Sequence, residues 1–253
     1  MSCTLEVLFS PAEFRALPER DLRHTTCVVF DVLRATSTMV AAFAAGAERI
    51  IAVGEIAEAL AWKQRAADVL LAGEREGWRI SAAQTGGVDF HLGNSPREFL
   101  PPTVAGRTIV MTTTNGTRAL RACAGAARVL IGSFLNLSAT VSCLSAQPSE
   151  NICLVCAGTG ENAALEDALA AGALCDRLAS TLPLVRLVDS AALARAAWLQ
   201  ARGNLAEALE EARNARRLLS LPELRDDVEF CLRQDVFRFA AGNDANGELR
   251  RLP

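Results

Sequence analysis

The chain has 253 residues, of which 51% are hydrophobic, and its 26 basic and 29 acidic residues give a formal net charge of −3. A chain of this length buries roughly 70–75% of its unfolded surface, so it needs no disulfide or structural metal to fold. The two signs of charge are interspersed, which excludes a basic nucleic-acid-binding surface. No apolar run reaches bilayer length and no signal pattern precedes residue 9, so we predict a cytoplasmic protein without membrane partners.

The cysteine and lysine content limits the kinds of metal site and catalytic chemistry that we expect. Most of the eight cysteines lie inside apolar runs, which indicates reduced core thiols. Cys153 and Cys156 form a C-x-x-C pair in a predicted strand, where positions three apart face opposite ways, so no zinc site is expected. Lys63 is the only lysine, which argues against Schiff-base chemistry and leaves arginine to bind anions.

Strand and helix patterns alternate along the first third of the chain. Residues 4–9 and the apolar run 27–30 indicate strands, and an alanine-rich helix follows as far as Gly46. The pattern then predicts a strand at 49–53, a helix at 55–67 and a strand at 68–72. This alternation predicts an α/β fold with a mostly parallel or mixed sheet and helices on both faces.

The junction after strand 27–30 carries a notable set of polar side chains. Asp31 ends the strand, Arg34 follows, and the hydroxyls of residues 36–38 lead into the helix. Because the first helical N–H groups have no partner inside the helix, this layout is typical of an anion or metal–phosphate site. The alternative is that Thr36 or Ser37 only caps a helix that packs on the sheet.

Other polar clusters follow later strands. The aperiodic passage 73–102 is long enough to predict a functional loop. Further polar turns follow predicted strands at 108–111, 128–131 and 152–157. Since ligands bind at the carboxyl ends of strands in open α/β sheets, we expect these turns to converge on one site. Their carboxylates suit a hard divalent cation, and their arginines and N–H groups suit phosphate.

Spacing excludes two well-known phosphatase chemistries. An Asp-x-Asp motif would need an acid at residue 33, which is Leu33, and a cysteine phosphatase would need an arginine six residues after Cys156, which is Asn162. The missing second acid favours direct attack by water, although a covalent intermediate on Asp31 or a hydroxyl stays open. The run 158–163 (GTGENA) fits a loose dinucleotide-binding pattern, so a non-catalytic nucleotide- or small-anion-binding protein with a Rossmann-like sheet is the alternative function.

The last quarter of the chain has a different composition. Alanine, arginine and glutamate dominate predicted helices at 191–202 and 205–219, and a further helical pattern lies within 221–239. We therefore divide the chain into an α/β core that carries the site, 1–189, and a helical segment packed on that core, 190–253. The polar tail after Gly242 is expected to fray. Alanine-rich helices would allow a homodimer.

Six ordered motifs resemble the ComB family of 2-phosphosulfolactate phosphatases. They are 31–38 (DVLRATST), 72–75 (AGER), 92–96 (LGNSP), 112–119 (TTTNGTRA), 131–136 (IGSFLN) and 156–159 (CAGT). The run 227–232 (DVEFCL) also resembles the C-terminal segment of that family. The resemblance implies the α/β fold of the family and a magnesium-dependent phosphatase that hydrolyses 2-phospho-3-sulfolactate in coenzyme M biosynthesis.

The polar residues of these turns and motifs have distinct predicted roles. The predicted catalytic residues are Asp31, Arg34, Glu74 and Arg75. The predicted Mg²⁺ ligands are Asp31, Glu74, Asp89, Glu166 and Asp167. The predicted binders of the small anionic phosphomonoester substrate are Thr36, Ser37, Asn94, Ser95, Thr112, Thr113, Thr114, Asn115, Gly116 and Ser133.

Overall fold

The computed structural model describes residues 3–182, 184–244 and 247–252. These residues form one eleven-stranded mixed sheet with helices on both faces, which confirms the predicted fold class. The strands are β1 (Cys3–Leu8), β2 (Thr25–Phe30), β3 (Arg49–Ala52), β4 (Leu70–Arg75), β5 (Trp78–Arg79), β6 (Thr108–Thr112), β7 (Arg128–Gly132), β8 (Asn151–Cys156), β9 (Val185–Leu187), β10 (Ala241–Asn243) and β11 (Leu249–Arg251). The helices are α1 (Pro11–Phe14), α2 (Ala35–Ala44), α3 (Ile56–Arg65), α4 (Ala82–Thr85), α5 (Pro101–Val104), α6 (Gly116–Ala122), α7 (Leu137–Ala146), α8 (Leu165–Thr181), α9 (Asp189–Ala201), α10 (Leu205–Ala208), α11 (Arg213–Leu219) and α12 (Arg225–Leu232).

The sheet consists of two groups of parallel strands joined by a hairpin. The strand order is β5-β4-β6-β3-β11-β10-β7-β2-β8-β1-β9. The group β4-β6-β3 is parallel, as is the group β7-β2-β8-β1-β9, and the β10–β11 hairpin pairs antiparallel with β3 and β7 between them. Strand β2 is buried along its whole length, including Thr25 and Thr26 at its start. Its apolar run 27–30 is typical of a strand covered on both faces.

Side chains of β2 alternate between two apolar cores. Val28 and Phe30 pack with α7, α8 and the C-terminal helices, whereas Val29 packs with α2 and α6 on the other face. Cys153 and Cys156 of β8 likewise belong to different cores, as their spacing predicts. The eight cysteines are free thiols.

The C-terminal tail differs from its predicted behaviour. Instead of fraying, its described residues return to the sheet, where Gly242 pairs with Leu130 of β7 and Leu249 pairs with Ile50 of β3. A Cβ at residue 242 would lie 2.4 Å from the carbonyl oxygen of Val129, so only glycine fits this close approach. Backbone pairing orders this short hairpin, and apolar periodicity gives no signal for it.

The C-terminal helices cover one face of the sheet, next to α8. Trp198, Leu205, Leu218 and Val228 place one buried side chain from each of α9 to α12 in the same core. The single helix predicted at 205–219 is divided into α10 and α11. Among the described residues, no helix combines the length and apolarity needed to cross a membrane.

Candidate active site

Asp31 lies at the carboxyl end of β2 and holds the start of α2. Its Oδ1 accepts the N–H of Ala35 at 3.2 Å, and its own N–H donates to Thr36 Oγ1 at 3.0 Å. Neither hydroxyl proposed as the N-cap occupies that position, which belongs to Arg34. The carboxylate therefore satisfies one of the unpaired helical N–H groups, while its second oxygen faces Gly116.

The carboxyl end of β4 contributes a second buried acid. Glu74 Oε1 accepts the N–H of Thr114 and Oε2 accepts the N–H of Gly77, both at 2.7 Å. Glu74 thereby ties the β4 turn to the junction that follows β6. Arg75 turns away from this point, because its guanidinium donates to Thr112 Oγ1 and to the Gly54 carbonyl.

Two further acids lie at the N-terminus of α8. Asp167 Oδ1 accepts the N–H of Val32 at 2.8 Å and Oδ2 accepts the N–H of Gly158 at 3.1 Å, so this residue joins the ends of β2 and β8. Glu166 Oε1 accepts a hydrogen bond from Asn214 Nδ2 at 2.5 Å. Glu166 Oε2 is buried and has no hydrogen-bond partner among the described residues.

A cavity of about 180 Å³ lies where these turns meet. Its lining includes Asp31, Arg34, Glu74, Gly77, Asn94, Thr114, Asn115, Thr159, Asn214 and Arg217. The expected convergence is therefore confirmed for the turns that follow β2, β4, β6 and β8. The buried amide oxygens of Asn94 and Asn115 have no partner among the described residues, so both are available to a ligand.

Several predicted substrate-binding hydroxyls connect the junctions instead of lining the cavity. Ser37 Oγ donates to the Val32 carbonyl and contacts Ser133 Oγ at 2.9 Å. Thr113 and Thr117 exchange hydrogen bonds within the β6–α6 turn. Ser95 Oγ donates to Asp227 at 2.7 Å. These buried contacts fix the shape of the site.

Asp89 lies outside this group of acids. Its Oδ1 accepts the N–H of Ala82 at 2.7 Å, at the start of α4, and it is absent from the cavity lining. Conversely, Asn214 and Arg217 on α11 line the cavity without having been predicted, because they belong to an alanine- and arginine-rich pattern without a motif. Asn214 bonds Glu166 and Thr159, and Arg217 bonds the Glu76 carbonyl across the cavity mouth.

The electrostatics of the site favour a bound cation. Burial raises the pKa of Asp31 to about 7, and the charges of Glu74 and Glu166 add to this rise. Burial also raises the pKa of Glu166. The pKa of Asp167 is held well above its usual range by burial and, in addition, by the charges of Glu166 and Asp31. A positive ion near Asp31 would relieve this repulsion and stabilise the charged forms.

The donor chemistry fits Mg²⁺ held by few protein ligands. Within the described ranges, no three acidic, histidine or cysteine side chains lie close enough to hold one ion. Mg²⁺ usually takes only one or two carboxylates and completes its shell with water and substrate phosphate. Asp31 lines the cavity, whereas Glu166 lies outside the lining and bonds the lining residue Asn214. Each of these two acids has an oxygen that could serve, while Glu74 and Asp167 are held by backbone N–H groups.

Gly116 is predicted to be required for the position of Asp31. A Cβ at residue 116 would lie 2.7 Å from Asp31 Oδ2 and 2.6 Å from Ala35 Cβ, so Gly116→Ala must displace the carboxylate or α2. We expect kcat/KM of the site's reaction to fall by about 10²-fold, since a displacement near 1 Å can cost that much. Gly125→Ala is the matched control, because no atom lies within 4 Å of its added Cβ. Equal activity of the two variants would contradict this steric role.

Comparison with known proteins places the chain in a family. The family model described as 2-phosphosulpholactate phosphatase matches residues 13–241. A "Probable 2-phosphosulfolactate phosphatase" of Thermotoga petrophila is 42% identical over 213 residues, which cover 84% of this chain and 86% of the relative. A relative with the same name from Caldicellulosiruptor saccharolyticus is 36% identical, over 88% of this chain and 91% of the relative. Another from Parasynechococcus marenigrum is 35% identical, over 96% of this chain and 97% of the relative. The extent of these matches shows that the chain belongs to the 2-phosphosulpholactate phosphatase family.

Proposed function

We propose that this chain is a phosphomonoester hydrolase that converts 2-phospho-3-sulfolactate to sulfolactate and phosphate and requires Mg²⁺. The observation that carries the proposal is the cavity where Arg34 lies beside the buried acids Asp31 and Glu74. Its volume of about 180 Å³ suits a three-carbon substrate. Pockets that bind drug-sized ligands have volumes of roughly 300–1,000 Å³.

The acidic, basic and neutral residues of the site have different proposed roles. Mg²⁺, held by Asp31 and Glu166, would neutralise charge that develops on the phosphate. Arg34 would bind phosphate oxygens, and the Thr114–Asn115 turn would orient the rest of the substrate. Arg217 and Asn214 close the cavity from α11 and would limit the entry of bulk water.

The nucleotide-binding alternative receives no support from the geometry. Gly158 donates its N–H to Asp167, so this group of the 158–163 loop is already used. The two buried acids at the start of α8, Glu166 and Asp167, would also repel a pyrophosphate at the position where a dinucleotide fold binds one.

Assay of the purified protein tests the proposal. We expect phosphate release from 2-phospho-3-sulfolactate with Mg²⁺, little release after EDTA treatment, and slower release from a panel of other phosphomonoesters. Equal rates with Mg²⁺ and with EDTA would contradict the metal requirement. Faster release from another ester would contradict the substrate assignment while leaving the phosphatase assignment in place.

A further inference from the structure

The last helix of the chain places a carboxylate behind the wall of the cavity. Asp227 on α12 is 0% exposed, and its Oδ2 accepts a hydrogen bond from Arg34 Nη1 at 2.6 Å. The Arg34 side chain is itself only 3% exposed, although it lines the cavity with Asp31. Separation of an ion pair buried this deeply is strongly unfavourable, because each charge would lose its partner in a medium of low dielectric.

Further hydrogen bonds fix both members of the pair. Asp227 Oδ1 accepts from Ser95 Oγ at 2.7 Å and from Arg97 Nε at 2.9 Å. On the other side, Arg34 Nη2 donates to the Gly77 carbonyl at 2.8 Å. The plane of the guanidinium is therefore set from two directions. Its other N–H groups form no hydrogen bond among the described residues, so they are available to a ligand in the cavity.

We propose that Asp227 is a positioning residue that orients Arg34 toward the substrate phosphate. This inference rests on the proposed function, in which Arg34 binds the phosphate. Asp227 has no place in the cavity lining, and of its partners Arg34, Ser95 and Arg97 only Arg34 lines the cavity, so its influence passes through Arg34. The C-terminal helical segment then contributes to turnover as well as covering the core.

Neutralising Asp227 would have opposite effects on binding and on turnover. Arg34 would lose its counter-charge, which favours binding of an anion, but it would also lose its fixed orientation, which weakens stabilisation of the transition state. For Asp227→Asn we therefore expect kcat to fall by about 10- to 100-fold without a rise in KM. Loss of cavity shape alone would raise KM.

The matched control lies one residue away on the same helix. Asp226 is 64% exposed and pairs with Arg97, so Asp226→Asn removes the same charge without contact to Arg34. We expect this variant to keep the wild-type kcat and KM. Thermal unfolding of each variant reports whether it is folded.

A double-mutant cycle with Arg34→Ala decides whether the two residues act as one unit. If Asp227 acts through Arg34, then Asp227→Asn changes kcat/KM by less than about twofold when Arg34 is already alanine. Additive losses, or a raised KM with unchanged kcat, would overturn the inference. Should Asp227→Asn not fold, Asp227→Glu keeps the charge and shifts the guanidinium, and a wild-type kcat in that variant would equally overturn it.

The design separates this inference from the proposed function. Wild-type activity of Arg34→Ala would refute the role of Arg34, and with it the basis of the inference. Impaired Arg34→Ala beside a fully active Asp227→Asn would refute the inference alone. If the wild-type protein releases no phosphate, the proposed function fails. The affinity of the same variants for inorganic phosphate is then measured by calorimetry. Additive effects on this affinity would overturn the positioning role, and non-additive effects would support it.

Discussion

Asp31→Asn is expected to abolish phosphate release in a protein that remains folded. Asparagine matches the shape of the carboxylate, and its amide oxygen can still accept the Ala35 N–H that holds the start of α2. The variant loses the charge that would bind Mg²⁺ and face the phosphate beside Arg34. Loss of several kcal/mol of transition-state stabilisation corresponds to a fall in kcat on the order of 10³-fold.

Asp21→Asn is the control for this substitution. Asp21 is an exposed residue of the same type that pairs with Arg23 at the surface. Phosphate release and thermal unfolding should both be measured at saturating Mg²⁺. A folded Asp31→Asn protein with wild-type activity would remove Asp31 from the mechanism, and a variant that melts far below the wild type would show instead that the carboxylate is needed for folding.

The strand-to-helix junctions were the part of the site that the sequence could predict. Asp31 directly follows the apolar strand β2, and Glu74 lies at the end of β4, before the turn to β5. Both charges lie where strands of the parallel groups end, so their convergence follows from general rules of α/β sheets. The core strands follow from the same apolar runs. These features depend on short-range patterns, which one sequence contains in full.

The direction of the junction hydroxyls could not be predicted in the same way. Ser37 contacts Ser133, which is 96 residues away, and Thr38 donates to the Asn94 carbonyl, 56 residues away. Whether a hydroxyl faces a ligand or a neighbouring turn depends on which turns become adjacent, and sequence spacing carries no such information. The direction of the Arg75 side chain could not be predicted for the same reason, because its partner Gly54 lies in another turn.

The contribution of the C-terminal segment to the site could not be predicted from the sequence for a different reason. The acids of α12 have the spacing of an ordinary solvent-exposed helix face, yet Asp227 is buried and Asp226 is not. Burial of one acid is decided by the arginine it meets, Arg34, which lies 193 residues earlier in the chain. Asn214 and the β10–β11 hairpin likewise depend on partners that only the folded chain supplies.

The pH dependence of stability offers a second large effect, measured without turnover. Burial raises the pKa of Asp31 from 3.8 to about 7. Between these values the folded state binds a proton that the unfolded state has lost, so the free energy of unfolding falls as pH rises. The contribution is fully present below about pH 4 and is lost through about pH 7, and its size is on the order of 4 kcal/mol. The raised pKa values of Glu166 and Asp167 act with the same sign.

We therefore expect chemical denaturation in EDTA to show lower stability at pH 8 than at pH 5, and Mg²⁺ to raise the melting temperature mainly at pH 8. At pH 5 protons neutralise the carboxylates and compete with the cation, whereas at pH 8 the cation relieves their repulsion. Asp31→Asn should weaken both effects, because it removes one charge of the cluster and one metal ligand. Stability in EDTA that increases between pH 5 and pH 8 would show that the acids are stabilised by the protein alone, and a Mg²⁺ effect of equal size at both pH values would place the ion elsewhere.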